Sequence, residues 1–220
     1  MSRALVTGAN RGIGLELCRQ LVDKGWDVIG TSRGPAPALE ELGVRVEMLD
    51  VADEESIDAL ARRLSNGTRL DLLINNAGCA EKSTLEDLNT PGMRKQFEVN
   101  ALGPIRLTWA LLPVLGQGSK VAMITSRMGS IGDNSSGGHY GYRMSKAALN
   151  AGSVSLAQDI REQGIAVGIL HPGFVKTGMT GGRGDVTPDV SASRLLERID
   201  ELSLETTGTF RHANGEDLPW

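Results

Sequence analysis

With 220 residues, 40% of them hydrophobic and 23% charged, the chain is long enough for one α/β domain that buries roughly 70 to 75% of its unfolded surface. A formal net charge of −4 gives no basic footprint and argues against a nucleic-acid partner. Apolar runs are too short to cross a membrane, the N-terminus enters a strand at once with no room for a signal peptide, and Cys18 and Cys79 lack metal or redox spacing; a cytoplasmic protein with two reduced thiols is expected.

In chain order, Arg3-Ala4-Leu5-Val6-Thr7 predicts a buried strand over 3–7. It is followed by Gly8-Ala9-Asn10-Arg11-Gly12-Ile13-Gly14 and a helical pattern over 13–24 stopped by Gly25. Strand, glycine turn and helix let backbone N–H groups approach a pyrophosphate, with glycines where a Cβ would obstruct it. The spacing of Gly8, Gly12 and Gly14 is G-x-x-x-G-x-G rather than the common G-x-G-x-x-G. A second strand over 26–31 runs into Thr31-Ser32-Arg33. NAD sites place an acid about 20 residues after the glycine turn, whereas NADP sites use a nearby arginine. No acid occurs here until Glu40, so Arg33, with Arg11 in the glycine turn, favours NADPH over NADH; the alternative is two solvated surface charges.

A third strand is predicted over 44–49, ending at Asp50-Val51, then a helix over 54–65 and a strand over 71–75 that closes on Asn75-Asn76-Ala77-Gly78. The next helix, over 91–115, contains Asn100 and Pro104. Proline has no N–H, so the Asn100 carbonyl loses its partner, and a kink or bulge is expected over 100–104. The freed carbonyl can hold water, unless the kink serves packing alone. A strand over 120–125 ends at Thr125-Ser126. The helix over 142–163, stopped by Gly164, carries Tyr142 and Lys146 on one face, their Cβ atoms about 5 to 6 Å apart. Tyr140 is off that face. The ammonium should favour the phenolate, and bringing a phenol from about 10 to near neutrality takes roughly 3 to 4 kcal/mol, from the lysine together with a positively charged cofactor ring.

The sixth strand, over 165–170, precedes His171-Pro172-Gly173, and nine residues with four glycines separate Thr177 from Thr187-Pro188-Asp189, which caps and starts a helix over 188–203. A last strand is expected over 207–212, with a turn at Asn214-Gly215. Trp220 reads as either an interface or a core residue. His139, His171 and His212 show no ligand spacing, so no metal is assigned.

Strands and helices alternate throughout, which predicts a single domain over 1–220: an α/β, Rossmann-type, doubly wound parallel sheet of about seven strands with helices on both faces. Ligands of such sheets bind outside the carboxyl ends of the strands, where all of these motifs lie. Ser126 directly ends the fifth strand and joins Tyr142 and Lys146 as a candidate catalytic residue. The constellation suits hydride transfer between a nicotinamide and a carbonyl or secondary alcohol.

Thr7-Gly8-x-x-x-Gly12-Ile13-Gly14, Asn75-Asn76-Ala77-Gly78, Asn100, Ser126, Tyr142, Lys146, Pro172-Gly173 and Thr177, in this order, resemble the short-chain dehydrogenase/reductase family over residues 4 to about 177. The segments 125–131, 142–150 and 170–175 are similar to its bacterial C-factor-like branch. The resemblance implies Tyr142 as proton donor, Ser126 on the same substrate oxygen, Lys146 on both the tyrosine and the nicotinamide ribose, and Asn100 carrying a relay water toward the lysine. It further implies cofactor contacts from Gly8, Asn10, Arg11, Gly12, Ile13, Gly14, Asn76, Ala77, Gly78, Pro172, Gly173, Val175 and Thr177, and adenine contacts from Asp50 and Val51. Asp50 is alternatively, or also, the N-cap of the helix that follows. A cytoplasmic NADPH-dependent carbonyl reductase is the leading expectation, forming a homodimer or homotetramer through the helices over 91–115 and 142–163. A nucleotide-binding signalling or regulatory protein, and an alcohol dehydrogenase working oxidatively, are the alternatives. The glycine-rich segment after Thr177 has little apolar surface with which to cover a ligand, so an open site with weak, broad acceptance of small activated carbonyls is expected. Substrate-facing loops around 79–81, 127–131 and 174–184 carry no motif that names a substrate.

Overall fold

Short runs of leucine and β-branched residues become, among the described residues, seven strands: β1 (Arg3–Val6), β2 (Asp27–Ser32), β3 (Arg45–Met48), β4 (Leu70–Asn75), β5 (Leu115–Ile124), β6 (Ala166–His171) and β7 (Phe210–His212). In a computed structural model, which describes residues 1–65, 67 and 69–220, they form one parallel sheet in the order β3-β2-β1-β4-β5-β6-β7. Ala4 is in register with Val28 on one side and Leu72 on the other, so β1 lies between β2 and β4 and the strand order reverses there. That reversal opens a crevice at the carboxyl edge.

Among the described residues, seven α-helices connect the strands: α1 (Gly12–Asp23), α2 (Pro37–Glu40), α3 (Glu54–Leu64), α4 (Thr90–Phe97), α5 (Gly103–Leu111), α6 (Tyr140–Asp159) and α7 (Pro188–Glu201). Alternate strand residues face opposite layers. Leu5, Leu73, Val121, Met123 and Val167 pack with Ile57, Leu60, Leu107, Leu111 and Leu149 from α3, α5 and α6. Ala4, Val6, Leu72, Ile74 and Ala122 pack with Leu17, Leu21, Leu195 and Ile199 from α1 and α7. Each fully buried leucine or isoleucine contributes about 1.5 to 3 kcal/mol of transfer free energy, so the two layers fix the register of the sheet and hence the position of every loop at its carboxyl edge.

The expected helix over 91–115 is corrected: it is interrupted and stops early. A π-helical turn, Glu98–Leu102, joins α4 to α5, with the Gly103 N–H donating to the Glu98 carbonyl. The predicted break over 100–104 is this turn, and its cause is the missing N–H of Pro104. Past Leu111 the chain takes one 3-10 turn containing Pro113, and β5 begins at Leu115, five residues before the expected start. The other boundaries shift less. α6 starts at Tyr140 rather than 142, the last strand shortens to 210–212, and α2 had too few residues to show a helical period. The glycine-rich segment is folded rather than loose: Thr177 and Thr180 form a capping box, and Val175 pairs with Val186. Thr187 starts α7 but its side chain makes no cap hydrogen bond.

Candidate active site

The turn after β1 is fixed by its neighbours. The Ala9 N–H donates to the Thr31 carbonyl (2.9 Å), and the Asn76 side-chain amide donates to the Thr7 carbonyl (2.9 Å). The Thr7 hydroxyl accepts from the N–H groups of Asn76 (3.0 Å) and Ala77 (2.9 Å). Gly8 and Gly12 adopt φ of 63° and 58°, which other residues rarely do. A Cβ on Gly14 would come within 2.6 Å of the Asn76 amide nitrogen. Helix α1 has Arg11 at its N-cap position with no side-chain cap hydrogen bond and no acid in its first turn, while Gly12, Ile13 and Gly14 line a cleft of about 440 Å³. The first N–H groups of a helix have no intrahelical partner and carry partial positive charge, so this end is suited to a phosphate. A pyrophosphate-bearing cofactor therefore fits the backbone present.

Ser32 and Arg33 line the same cleft at the end of β2, and among the described residues neither Arg33 nor Arg11 is ion-paired. Asp50 and Val51 line it beyond β3. Asp50 is not the cap of α3, which corrects that alternative: its Oδ1 accepts from the Ala52 N–H (3.0 Å), and Asp53 caps the helix by accepting from the Glu55 N–H (3.1 Å).

At the other end, α6 carries Tyr142 and Lys146 into the cleft. Ser126 is 7% exposed and accepts from the Met128 N–H (3.1 Å), and its hydroxyl acts on the Tyr142 phenol, lowering its pKa. Lys146 is 5% exposed, its Nζ donating to the Ile124 carbonyl (2.8 Å) and lying 5.9 Å from the centre of the tyrosine ring. Tyr142 as a whole is half-buried, with its phenol deeper. Burial pushes that phenol up to about 12, against the lowering effect of Ser126, and brings Lys146 down to about 8. The expected lowering of the phenol by the ammonium is outweighed in the protein alone, where desolvation disfavours both charged forms. Protonated tyrosine is thus the resting state, which suits a proton donor.

Asn100, fully buried in the π turn, lies behind the cleft rather than in its wall. Its Oδ1 accepts from the Cys79 N–H (2.8 Å), and its Nδ2 donates to the Cys79 carbonyl (2.8 Å) and to the Ser145 hydroxyl (3.0 Å), tying the loop after β4 to α6. Gly8, Asn10, Ala77, Gly78, Pro172 and Thr177 are also in the lining, whereas Ser126 and Gly173 are not. Val175, expected at the cofactor, is turned inward at 3% exposure and pairs with Val186. Ser32, Pro35, Leu49, Lys95, Val99 and Met179 also line the cleft and were not singled out from sequence, because no motif marks them; position at a strand end could have marked Ser32, Pro35 and Leu49, whereas Lys95 lies in α4 and Val99 in the π turn. Cys79 lines the cleft, its thiol pushed up by burial. His171 stacks edge-on against His212 at 4.8 Å and is held neutral by burial, its pKa down to about 3. Among the described residues no group of three or more His, Cys, Asp or Glu could hold a metal.

A family model described as short chain dehydrogenase matches residues 2–186. A 1-hydroxy-2-glutathionyl-2-methyl-3-butene dehydrogenase from Rhodococcus sp. is 42% identical, with 100% of both chains covered. C-signal from Myxococcus xanthus is 44% identical over 69% of this chain and 93% of that protein. Among solved structures, an NADPH-bound carbonyl reductase from chicken fatty liver has a TM-score of 0.93 at 35% identity, covering 100% of this chain and 99% of that one.

Proposed function

The chain belongs to the short-chain dehydrogenase family, and from that premise we propose that it is an NADPH-dependent reductase of aldehydes and ketones with Tyr142 as proton donor. The observation that carries the reading is the placing of Tyr142 and Lys146, with Ser126 just outside the lining, at one end of a cleft whose other end is the bare N-terminus of α1. Bound NADPH would supply the hydride. Ser126 and Tyr142 would hold the carbonyl oxygen, and the phenol proton would pass to the developing alkoxide, a form of general acid catalysis worth about 10² to 10⁴ in rate. Lys146 would hold the nicotinamide ribose, and its charge would stabilise the phenolate left behind. Asn100 would fix the loop after β4 and carry relay water on its backbone. Arg33, with Arg11, would pair with the 2′-phosphate, and Asp50 and Val51 would meet the adenine.

Two features of the surroundings belong to the same reading. The short glycine-rich segment after Thr177 would leave the site open to small activated carbonyls. The outer faces of α5 and α6, where Trp109 is 70% exposed, would pair copies into a homodimer or homotetramer in the cytoplasm. The similarity to a dehydrogenase of a glutathionyl alcohol favours a second reading, oxidation of a secondary alcohol at the same site, and the similarity to C-signal favours a signalling role. Cofactor turnover with a panel of activated ketones, set beside NADP⁺ reduction with the matching alcohols, tests all three. Faster ketone reduction is the expected result, faster alcohol oxidation reverses the direction, and no turnover of either removes the enzyme reading.

A further inference from the structure

The loop that follows Ser126 is closed from its far side by residues 210–220. After β7 the chain turns and runs back antiparallel, with Arg211 bridging Asp217 and the Leu218 N–H donating to the Phe210 carbonyl (2.9 Å). The Trp220 ring then stacks on Phe210, centres 5.4 Å apart and planes at 27°. Its carbonyl accepts from the Gly132 N–H at 2.7 Å. Gly132 leaves room for this arrival, since a Cβ there would lie 3.1 Å from the Trp220 carbonyl oxygen and 3.5 Å from Pro219.

From Gly132 a short chain of bonds leads back to Ser126. The Asp133 N–H donates to the Ser130 hydroxyl (3.0 Å), Arg127 pairs with Asp133 (2.7 Å), and the Gly129 N–H donates to the Ser126 carbonyl (2.8 Å). On its other side the loop is pressed against α6, where a Cβ on Gly129 would lie 2.7 Å from the Lys146 carbonyl carbon. The loop is thus held between the helix that carries Tyr142 and the Trp220 contact. We propose, on the reading given above, that Trp220 is a positioning residue: it clips the loop over 126–132 against α6 and so fixes the place of Ser126 relative to Tyr142.

Misplacement of about 1 Å at a reacting centre can cost up to 10²-fold. Trp220→Ala is therefore expected to lower kcat about 10-fold with the KM for NADPH unchanged, and Gly132→Ala, which crowds the same contact, to act in the same direction. Trp220→Phe keeps a ring on Phe210 and should restore most of the rate. Because Ser126 lowers the phenol's pKa, the alkaline limb of kcat/KM for reduction should move to higher pH in Trp220→Ala, as in Ser126→Ala, and stay in place in Trp109→Ala. An unchanged rate and pH profile in Trp220→Ala overturns the proposal, as does an equal loss of NADPH affinity. Amide hydrogen exchange separates this failure from that of the functional reading. Faster exchange at 127–132 in Trp220→Ala is expected whether or not any carbonyl is reduced. If the wild type reduces none, the reductase reading falls and exchange decides the clip, unaltered exchange overturning it.

Discussion

The two ends of the cleft are made of different materials. Around α1 the wall is backbone: glycines with no side chain to obstruct a ligand, and a helix N-terminus with neither cap nor acid. Around α6 the site is made of side chains already bonded to their own surroundings, Lys146 to Ile124 in the wall, with Ser126 on Met128 and Asn100 on Cys79 and Ser145 behind it. Unspent donors suit the binding of an anion, whereas pre-bonded side chains suit a reaction that needs fixed geometry. Helix α3 provides the control within the same sheet. It leaves the same edge with Asp53 as cap and Glu54 and Glu55 in its first turn, so its N-terminus is satisfied by the protein itself.

The sharpest way to break this division is Tyr142→Phe, which should lower turnover by about 10² to 10⁴ while NADPH affinity, followed by fluorescence titration, stays within a factor of a few. Comparable losses in both would mean that the ends are not separable. Lys146→Ala should impair both, because the proposed lysine spans them. Next in size is Arg33→Asp. A charge-assisted hydrogen bond is worth about 1.5 to 3 kcal/mol, so the preference for NADPH over NADH, measured as a ratio of kcat/KM, should fall by roughly 10-fold to 150-fold or reverse. A wild type that uses NADH at least as well would show that Arg33 does not reach the phosphate. Gly14→Ala forces a Cβ onto the Asn76 amide and the Gly8 carbonyl; overpacking of this kind costs about 1 to 3 kcal/mol, seen in urea denaturation and accompanied by weaker NADPH binding. The smallest effect belongs to the control: Asp53→Ala should reduce stability by about 0.5 to 2 kcal/mol and leave cofactor affinity where it was.

The same contrast explains what was legible in the sequence. Glycine spacing, strand-end asparagines and a tyrosine four residues before a lysine are local patterns, and the sheet brings them together because each follows a strand. Pro104 announced the π turn because the loss of one N–H is visible in a single letter. The chemical state of Tyr142 was not legible, since desolvation depends on what packs around the phenol and no spacing reports that. Nor was the clip at Gly132, where residues 88 positions apart in the chain meet through a main-chain hydrogen bond. Its donor and acceptor are main-chain atoms, and neither Gly132 nor Trp220 stands in a motif that would announce the contact. Ser32, Lys95 and Met179 enter the lining for a similar reason: the end of β2, helix α4 and the turn after β6 are brought to the cleft only by the assembled sheet.

The π turn also settles a question of phase along the chain. At about 100° per residue, an unbroken α-helix would set Gln96 and Thr108 roughly 120° apart around its axis, yet both side chains are fully buried. Widening one turn takes up about one residue's rotation and brings the two nearly into line. Gln96 can then meet the loop after β4 while Thr108 donates to Pro104 and accepts from Asn75. A chain shortened by one residue between Glu98 and Leu102 would regain a regular helix and lose this alignment: either α4 or α5 would have to turn a polar residue away from its partner.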